Sequence, residues 1–332
     1  MKETQTKIFS NLNPDTILDL AEESLGVKCS GICRPLNSYI NRVYELETRD
    51  RKGLIIKFYR PDRWSEQALL DEHEFMRELI DHDIPVIPPL VLRHGNTLGS
   101  FSGVNFSIFE RKGGRLVDEY NEEQWLELGR LMARTHLVGE IHASRERITL
   151  HPESSTRAHL TFLTKGNFIP AESLALFTDT ANELIREIAP LFKHVKSIRI
   201  HGDCHSANII QRPGESFFLI DFDDMALGPT VQDLWMLLPD HPNHCLYEID
   251  LFLEGYETFR PFDRRELQLI EPLRAMRYIH FIAWCAHQAE DGAGPPTHDW
   301  GTQSYWKKEI RDLQDQLKLI REGPDHQYSD QE

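Results

Sequence analysis

I-R-I-H-G-D-C-H-S-A-N-I-I-Q-R-P-G-E-S-F-F-L-I-D-F-D-D, residues 198–224, is the stretch whose reading decides the fold. A short apolar run ends at His201, and a polar loop then carries Asp203, His205 and Asn208. Two further apolar runs, Ile209-Ile210 and Phe217 to Ile220, flank a turn at Pro213-Gly214, which is the pattern of a hairpin. Pairing about that turn sets Arg212 against Phe217 and Asn208 against Asp221. Asn208 and Asp221 then reach the open end of the hairpin together, with Asp203 on the loop that feeds it.

A carboxylate and an amide oxygen on short rigid strands suit Mg²⁺, which takes oxygen ligands and shares its shell between carboxylates, phosphate oxygens and water. Asp203 is placed to accept a proton from an attacking hydroxyl. A base, a metal pair and no covalent nucleophile are what phosphoryl transfer requires, because its catalysis is mostly positioning and charge stabilisation. Taken singly, each Asp or Asn is as readily a turn former at a strand end. The combination H-G-D-x-H-x-x-N with an apolar strand leading to Asp221 favours the chemistry.

The 332 residues suit two lobes or one large domain, and 40% hydrophobic with 10% aromatic residues supply a sizeable core. Lys and Arg number 37 against 53 Asp and Glu, a formal charge of −16 that repels nucleic acid and anionic lipid. No apolar run approaches the ~20 residues of a membrane span. Met1-Lys2-Glu3-Thr4-Gln5 lacks an apolar signal region. Five scattered cysteines read as reduced thiols, with Cys204 a small filler inside the catalytic loop. These features point to a cytoplasmic protein. Sixteen histidines show no H-E-x-x-H spacing, so no transition metal is expected.

Before the central stretch, Asn13-Pro14-Asp15 opens a short helix over residues 10–26. Strand patterns follow from Val27 to Phe58, separated by Asn37-Ser38-Tyr39 and Thr48-Arg49-Asp50. Ser38, in the first of these turns, can offer a hydroxyl and an N–H to a phosphate, although the loop has no glycine and matches no P-loop. Lys57 interrupts an apolar strand and needs a partner. Ser65 caps a helix to about Ile80 whose apolar stripe contains Glu72, while Glu74 and Glu78 fall on the far side. A Lys57–Glu72 ion pair resolves both oddities.

A strand is expected from Ile84-Pro85-Val86, and another from Val104 to Phe109. The lobe boundary is placed at Arg111-Lys112-Gly113-Gly114, which separates residues 1–110 from residues 111–332. Residues 121–138 read as a core helix ending near a structural His136. Residues 141–180 read as irregular, and a helix spans about Thr178 to Phe192. Gly228 to Leu238 reads as a buried helix, with Asp233 able to cap the catalytic loop. Helices over 264–290 and Trp300 to Arg321, with a polar tail from Glu322, complete the chain.

Together, P-L-N-S-Y-I-N-R-V-Y (35–44), K-F-Y-R-P-D-R-W (57–64), E-H-E-F (72–75), H-G-D-C-H-S-A-N (201–208), I-D-F-D-D (220–224), G-P-T-V-Q-D-L-W-M-L-L (228–238) and I-E-P-L-R-A-M-R-Y (270–278) resemble the aminoglycoside phosphotransferase and choline kinase branch of the protein-kinase-like fold. Within that branch the chain is most similar to bacterial stress-response kinases. The resemblance implies an α/β (α+β), two-lobed protein-kinase-like fold. Its small N-terminal lobe is an antiparallel sheet with one main helix, and its larger C-terminal lobe is mostly helical. The implied activity is that of a cytoplasmic, monomeric serine/threonine protein kinase in envelope-stress response, using ATP and Mg²⁺ and acting on a protein hydroxyl, with self-phosphorylation left open. The resemblance makes Asp203 the proton acceptor, with Asp221 the second catalytic carboxylate. It makes Asn208 and Asp221 the metal ligands. It sets Ser38 against the ATP phosphates, Lys57 and Glu72 as the pair orienting them, and Asp233 as a brace. The glycine-rich loop, H-R-D and D-F-G of eukaryotic protein kinases are absent. A small-molecule kinase for an amino alcohol, sugar or aminoglycoside is the alternative, and a nucleotide-binding pseudokinase a third. Filled catalytic positions weigh against the last.

Overall fold

The computed structural model describes residues 9–38, 40–212, 214–290 and 297–322. Met1 to Gln5, Tyr39, Pro213 and the tail beyond Glu322 lie outside the described residues. Helix α1 (Pro14–Leu25) starts where Asn13 accepts from the Thr16 N–H at 3.0 Å, as a capping side chain should. Strands β1 (Cys29–Leu36), β2 (Arg42–Thr48), β3 (Gly53–Phe58), β4 (Gly99–Phe101) and β5 (Val104–Glu110) form one antiparallel sheet in the order β1-β2-β3-β5-β4. Ile56, Phe58, Phe106 and Ile108 pack with Ile17 and Ala21 of α1 in one buried cluster. Strand alternation then turns Lys57, paired across to Val43 and Ser107, to the opposite face.

Helix α2 (Glu66–Asp81) covers that opposite face, capped by Ser65, whose Oγ accepts from the Ala68 N–H at 3.1 Å. Leu69 packs with Tyr59 and Leu98, while Phe75, Met76 and Leu79 enter the large C-terminal core. Being clasped on two sides, α2 has less free face than a one-stripe helix. Glu78, expected on the outer side, is buried and accepts from Arg199 Nη2 at 2.6 Å. The strand expected from Ile84 does not form beyond isolated bridges at Val86 and Pro89. Pro85, Pro88 and Pro89 have no N–H to lend a ladder.

Beyond the sheet the chain is mainly helical: α3 (Glu122–Gly139), α4 (Arg157–Lys165), α5 (Ala171–Ile188), α6 (Gln232–Trp235), α7 (Leu246–Glu257), α8 (Ile270–Glu290) and α9 (Gln303–Glu322). Residues 141–180, expected to be irregular, contain α4 and the start of α5, both anchored by buried apolar residues such as Leu160, Leu163 and Phe177. Helices α3 and α7 cross closely. A Cβ on Gly129 would lie 2.0 Å from the Phe252 carbonyl oxygen, and one on Gly255 2.1 Å from that of Leu126. The buried helix expected over residues 228–238 is shorter. Residues Ala226–Gly228 are strand β9, paired with β6 (Ile198–Ile200), and only α6 is helical. No helix among the described residues is long and apolar enough to cross a membrane. The architecture is the expected mixed α/β one, with an antiparallel N-terminal sheet and a helical C-terminal part.

The hairpin forms from β7 (Ile209–Gln211) and β8 (Phe217–Leu219), but its register is one residue off the expected pairing. Gln211 faces Phe217, and the Ile220 N–H bonds the Asn208 carbonyl at 3.0 Å. The connection runs from 212 to 216 around an Arg212–Glu215 turn, one residue longer than the sequence pattern suggests. Asp221 therefore lies one step beyond the partner of Asn208, and a one-residue slip changes which face a side chain takes.

Candidate active site

The β6–β9 ladder leads directly into the loop bearing Asp203. Gly202 takes φ +83°, and a Cβ there would meet the Asp224 carbonyl oxygen at 2.2 Å, so the turn requires glycine. Fully buried Asp233 accepts from the His201 and Gly202 N–H groups, each at 2.8 Å, capping the loop as the sequence suggested. His136 touches the same carboxylate at 3.1 Å and Tyr256 Oη at 2.9 Å, the structural role expected of it. His201 reaches across to the Ile220 carbonyl at 2.9 Å, tying the loop to the end of β8.

Asp203 emerges from this frame. Asn208 Nδ2 donates to the Asp203 carbonyl at 2.9 Å and approaches its Oδ2 at 3.4 Å. Arg277 Nη2 of α8 donates to Asp203 Oδ1 at 2.6 Å. Asp221 occupies the left-handed region (φ 59°, ψ 69°), which an Asp tolerates better than most residues, at a cost of about 1 kcal/mol. Its carboxylate is half exposed, and Oδ1 accepts from Lys57 Nζ at 2.7 Å.

The expected Lys57–Glu72 ion pair is replaced by two others. The Lys57 ammonium meets Asp221 and, at 3.4 Å, Asp223. Glu72 accepts instead from Arg147 Nη2 at 2.5 Å, a contact with both side chains buried. Arg147 also bonds the Ala68 carbonyl (2.7 Å) and the Asp223 carbonyl (2.6 Å) and lies over the Trp64 ring. A planar guanidinium satisfies three acceptors at once, which an ammonium on β3 cannot do while held by the carboxylates after β8. Asp223 is a second hub, where Arg63 Nη1 and, at 3.2 Å, Asn41 Nδ2 reach Oδ2. Arg63 Nη2 continues to Asp224 at 2.6 Å.

The electrostatics follow these contacts. Burial alone would push the Lys57 ammonium down, but Asp221, Asp223 and Glu72 hold it well above its ordinary range. Burial also opposes ionisation of Asp223 and Asp224, and Arg63 overturns that, keeping both below the usual carboxylate range. For Glu72 burial wins over Arg147 and Lys57, and the carboxyl is pushed up to about 7.

Ser38 is half-buried in the turn after β1, and its hydroxyl has no hydrogen-bond partner among the described residues. Asn41, three residues on, fastens that turn to Asp223. The structure thus joins Asp203 with Asn208, and Lys57 with Asp221. It moves Glu72 to a different partner. Among the described residues no group of three or more His, Cys, Asp and Glu side chains could hold a metal. Asn208 Oδ1 and Asp221 Oδ2 accept no hydrogen bond from described residues, and both are hard oxygens of the kind Mg²⁺ takes. Such a pair would leave most of an ion's shell to phosphate and water. Arg63, Arg147, Arg277 and Asn41 were not singled out in the sequence. Asn41, Arg63 and Arg277 lie inside the quoted motifs, whereas Arg147 lies in a stretch without periodicity.

A model of the phosphotransferase enzyme family matches residues 32–270. Stress response kinase A of Escherichia coli (strain K12) is 36% identical over 318 residues, covering 95% of this chain and 96% of that protein. Serine/threonine protein kinase RdoA of Salmonella typhimurium is 34% identical over 322 residues, with the same coverage. Among solved structures, amicoumacin kinase hAmiN in complex with AMP-PNP, Ca²⁺ and Ami superposes with a TM-score of 0.77 at 19% identity, covering 96% of this chain and 97% of that one. A microcompartment-associated aminopropanol kinase gives 0.68 at 19% identity, covering 93% and 97%. The two superpositions establish the fold.

Proposed function

The chain belongs to the phosphotransferase enzyme family, and from that premise we propose that it is a cytoplasmic, monomeric serine/threonine protein kinase that uses ATP with Mg²⁺ in envelope-stress response. Residues 1–110 form the nucleotide-binding lobe, and residues 111–332 the catalytic and substrate lobe. The observation that carries the catalytic part is the Asp203–Asn208 contact (2.9 Å) on a loop braced by Asp233. What supports the protein acceptor is the name of one relative, serine/threonine protein kinase RdoA, 34% identical over nearly the whole chain.

Asp203 takes the proton from the acceptor hydroxyl as its oxygen attacks the γ-phosphorus, the bond to the β–γ bridging oxygen breaks and ADP leaves. The Asn208 amide fixes the loop by donating through Nδ2 to the Asp203 backbone carbonyl at 2.9 Å, which leaves its Oδ1 for a metal held with Asp221. Asn208 and Asp221 would hold Mg²⁺ when it is bound, and the ion would supply screening of the phosphate charge. Lys57, held beside Asp221 and desolvated, orients the phosphates. Ser38 offers its hydroxyl and N–H to them. Glu72 acts on Lys57 at a distance through its charge while Arg147 anchors it to the loop after β8.

Transfer from γ-labelled ATP with Mg²⁺, with and without an added protein acceptor, tests the proposal. Label on the added protein or on the enzyme, cut at least ~100-fold by Asp203→Asn, is the expected result. ATP binding without protein label moves the acceptor to a small-molecule hydroxyl, and no ATP binding refutes the kinase assignment of the site.

A further inference from the structure

The carboxylate of Asp203 is gripped by a helix that the mechanism above leaves without a role. Arg277 of α8 donates through Nη2 to Asp203 Oδ1 at 2.6 Å, and among the described residues its Nε and Nη1 make no hydrogen bond. The guanidinium side chain is 34% exposed, twice the 16% of Asp203, so its spare donors meet solvent at the mouth of the site. His205 Nε2 faces the other carboxylate oxygen of Asp203, Oδ2, at 3.5 Å. Asp224 is locked to Arg63, and His280 and His159 touch each other at 3.2 Å and are kept neutral by burial.

We propose that Arg277 is the acceptor-side positioning and selectivity residue: it holds Asp203 in register for the incoming hydroxyl, and admits hydroxyls flanked by neutral or acidic groups while excluding those flanked by an ammonium. The inference rests on Asp203 being the base. A hydroxyl must come within hydrogen-bonding reach of that carboxylate, about 2.6–3.2 Å. Whatever flanks the hydroxyl then lands beside a guanidinium already bonded to the same carboxylate. An ammonium there meets a like charge at close range, or it must displace Arg277 from Asp203. A carboxylate or a peptide carbonyl instead finds open donors in a planar fork. The overall charge of −16 would draw cations, but salt screens exposed charges beyond about 8 Å, so the group beside the base decides.

The test compares wild type, Arg277→Gln, Arg277→Lys and Asp203→Asn on three acceptors: a serine peptide flanked by Asp and Glu, the same peptide flanked by Lys, and an amino sugar. The wild type is expected to favour the acidic peptide at least ~10-fold in kcat/KM. Arg277→Gln should lower kcat at least ~10-fold and bring the acidic-to-basic ratio near unity, with the KM for ATP unchanged. Arg277→Lys should recover most of kcat and part of the ratio, since it keeps the pair with Asp203 and the positive charge but not the planar fork. Preference of the wild type for the lysine-flanked peptide or the amino sugar overturns the proposal. So does an Arg277→Gln enzyme within two-fold of wild type in kcat and ratio, or one that loses ATP binding along with turnover, because the residue would then be structural. An active Asp203→Asn refutes the base itself, a result separable from either.

Discussion

Removing Arg147 is the perturbation whose outcome the structure constrains most tightly. Its side chain is fully buried, and Glu72, its partner, is 2% exposed. Arg147→Met keeps the packed stem and removes the guanidinium that serves Glu72, Ala68 and Asp223. An ion pair buried this deeply costs about 3–5 kcal/mol when one partner is deleted, because a charge is left uncompensated. Glu72 has a partial escape, since burial already lifts its carboxyl to about 7 from an ordinary value of 4.5. A carboxyl held above its ordinary value penalises folding fully at pH above the folded value. The penalty is relieved as pH falls through that value toward 4.5. Losing Arg147 raises the folded value further, adding about 1.4 kcal/mol of penalty at high pH for each unit.

Arg147→Met is therefore expected to cost about 3 kcal/mol at pH 7.5, and the gap to wild type should narrow at pH 5.5. Arg147→Met with Glu72→Gln should return to within about 1 kcal/mol of Glu72→Gln alone, a coupling of about 2 kcal/mol or more. Urea unfolding followed by tryptophan fluorescence, with equal m-values across the four proteins, reads all of this. A single mutant within 1 kcal/mol of wild type at pH 7.5, or a double mutant no better than Arg147→Met, refutes the reasoning.

Two further outcomes are expected. His73 is buried against Tyr59 Oη (3.1 Å) and Thr97 Oγ1 (2.8 Å), and burial depresses its imidazole to about 3. A base depressed in the folded state contributes stability above the unfolded value of 6.5, and loses it as pH falls from there toward 3. Stability of the wild type should thus fall between pH 6.5 and 5 by about 2 kcal/mol more than that of His73→Gln, and parallel pH profiles would exclude the effect. Asp221→Ala should weaken ATP binding at limiting Mg²⁺, read by nucleotide titration at fixed Mg²⁺ series. Unchanged affinity there counts against Asp221 as a metal ligand.

Much of the site was legible because its chemistry is written in short range. His201 to Asn208 is one loop, and Asn208 and Asp221 flank one hairpin, so local pattern and turn chemistry bring them near. Asp233 could be read as a cap because a carboxylate at the start of an apolar stretch needs N–H partners, and the Gly202 and His201 amides supply them at 2.8 Å. The apolar stripe of α2 likewise forecast a buried Glu72. The register of the hairpin was not legible, because the loop length that sets it depends on a turn between Arg212 and Glu215 rather than on the apolar runs.

The sequence by itself determined the antiparallel sheet, the helix that backs it, the loop bearing Asp203 and the family, since periodicity and contiguous motifs carry these. Only the tertiary structure decided which charge meets which. Lys57 went to Asp221, 164 residues away, and Glu72 to Arg147, 75 away. Asp203 went to Arg277, 74 away. Burial demands that Lys57, Glu72 and Arg147 find counter-ions, but it does not say which. That choice belongs to the packing of α2, α8 and the segment before α4 around one loop, where distance and donor geometry pick the partner.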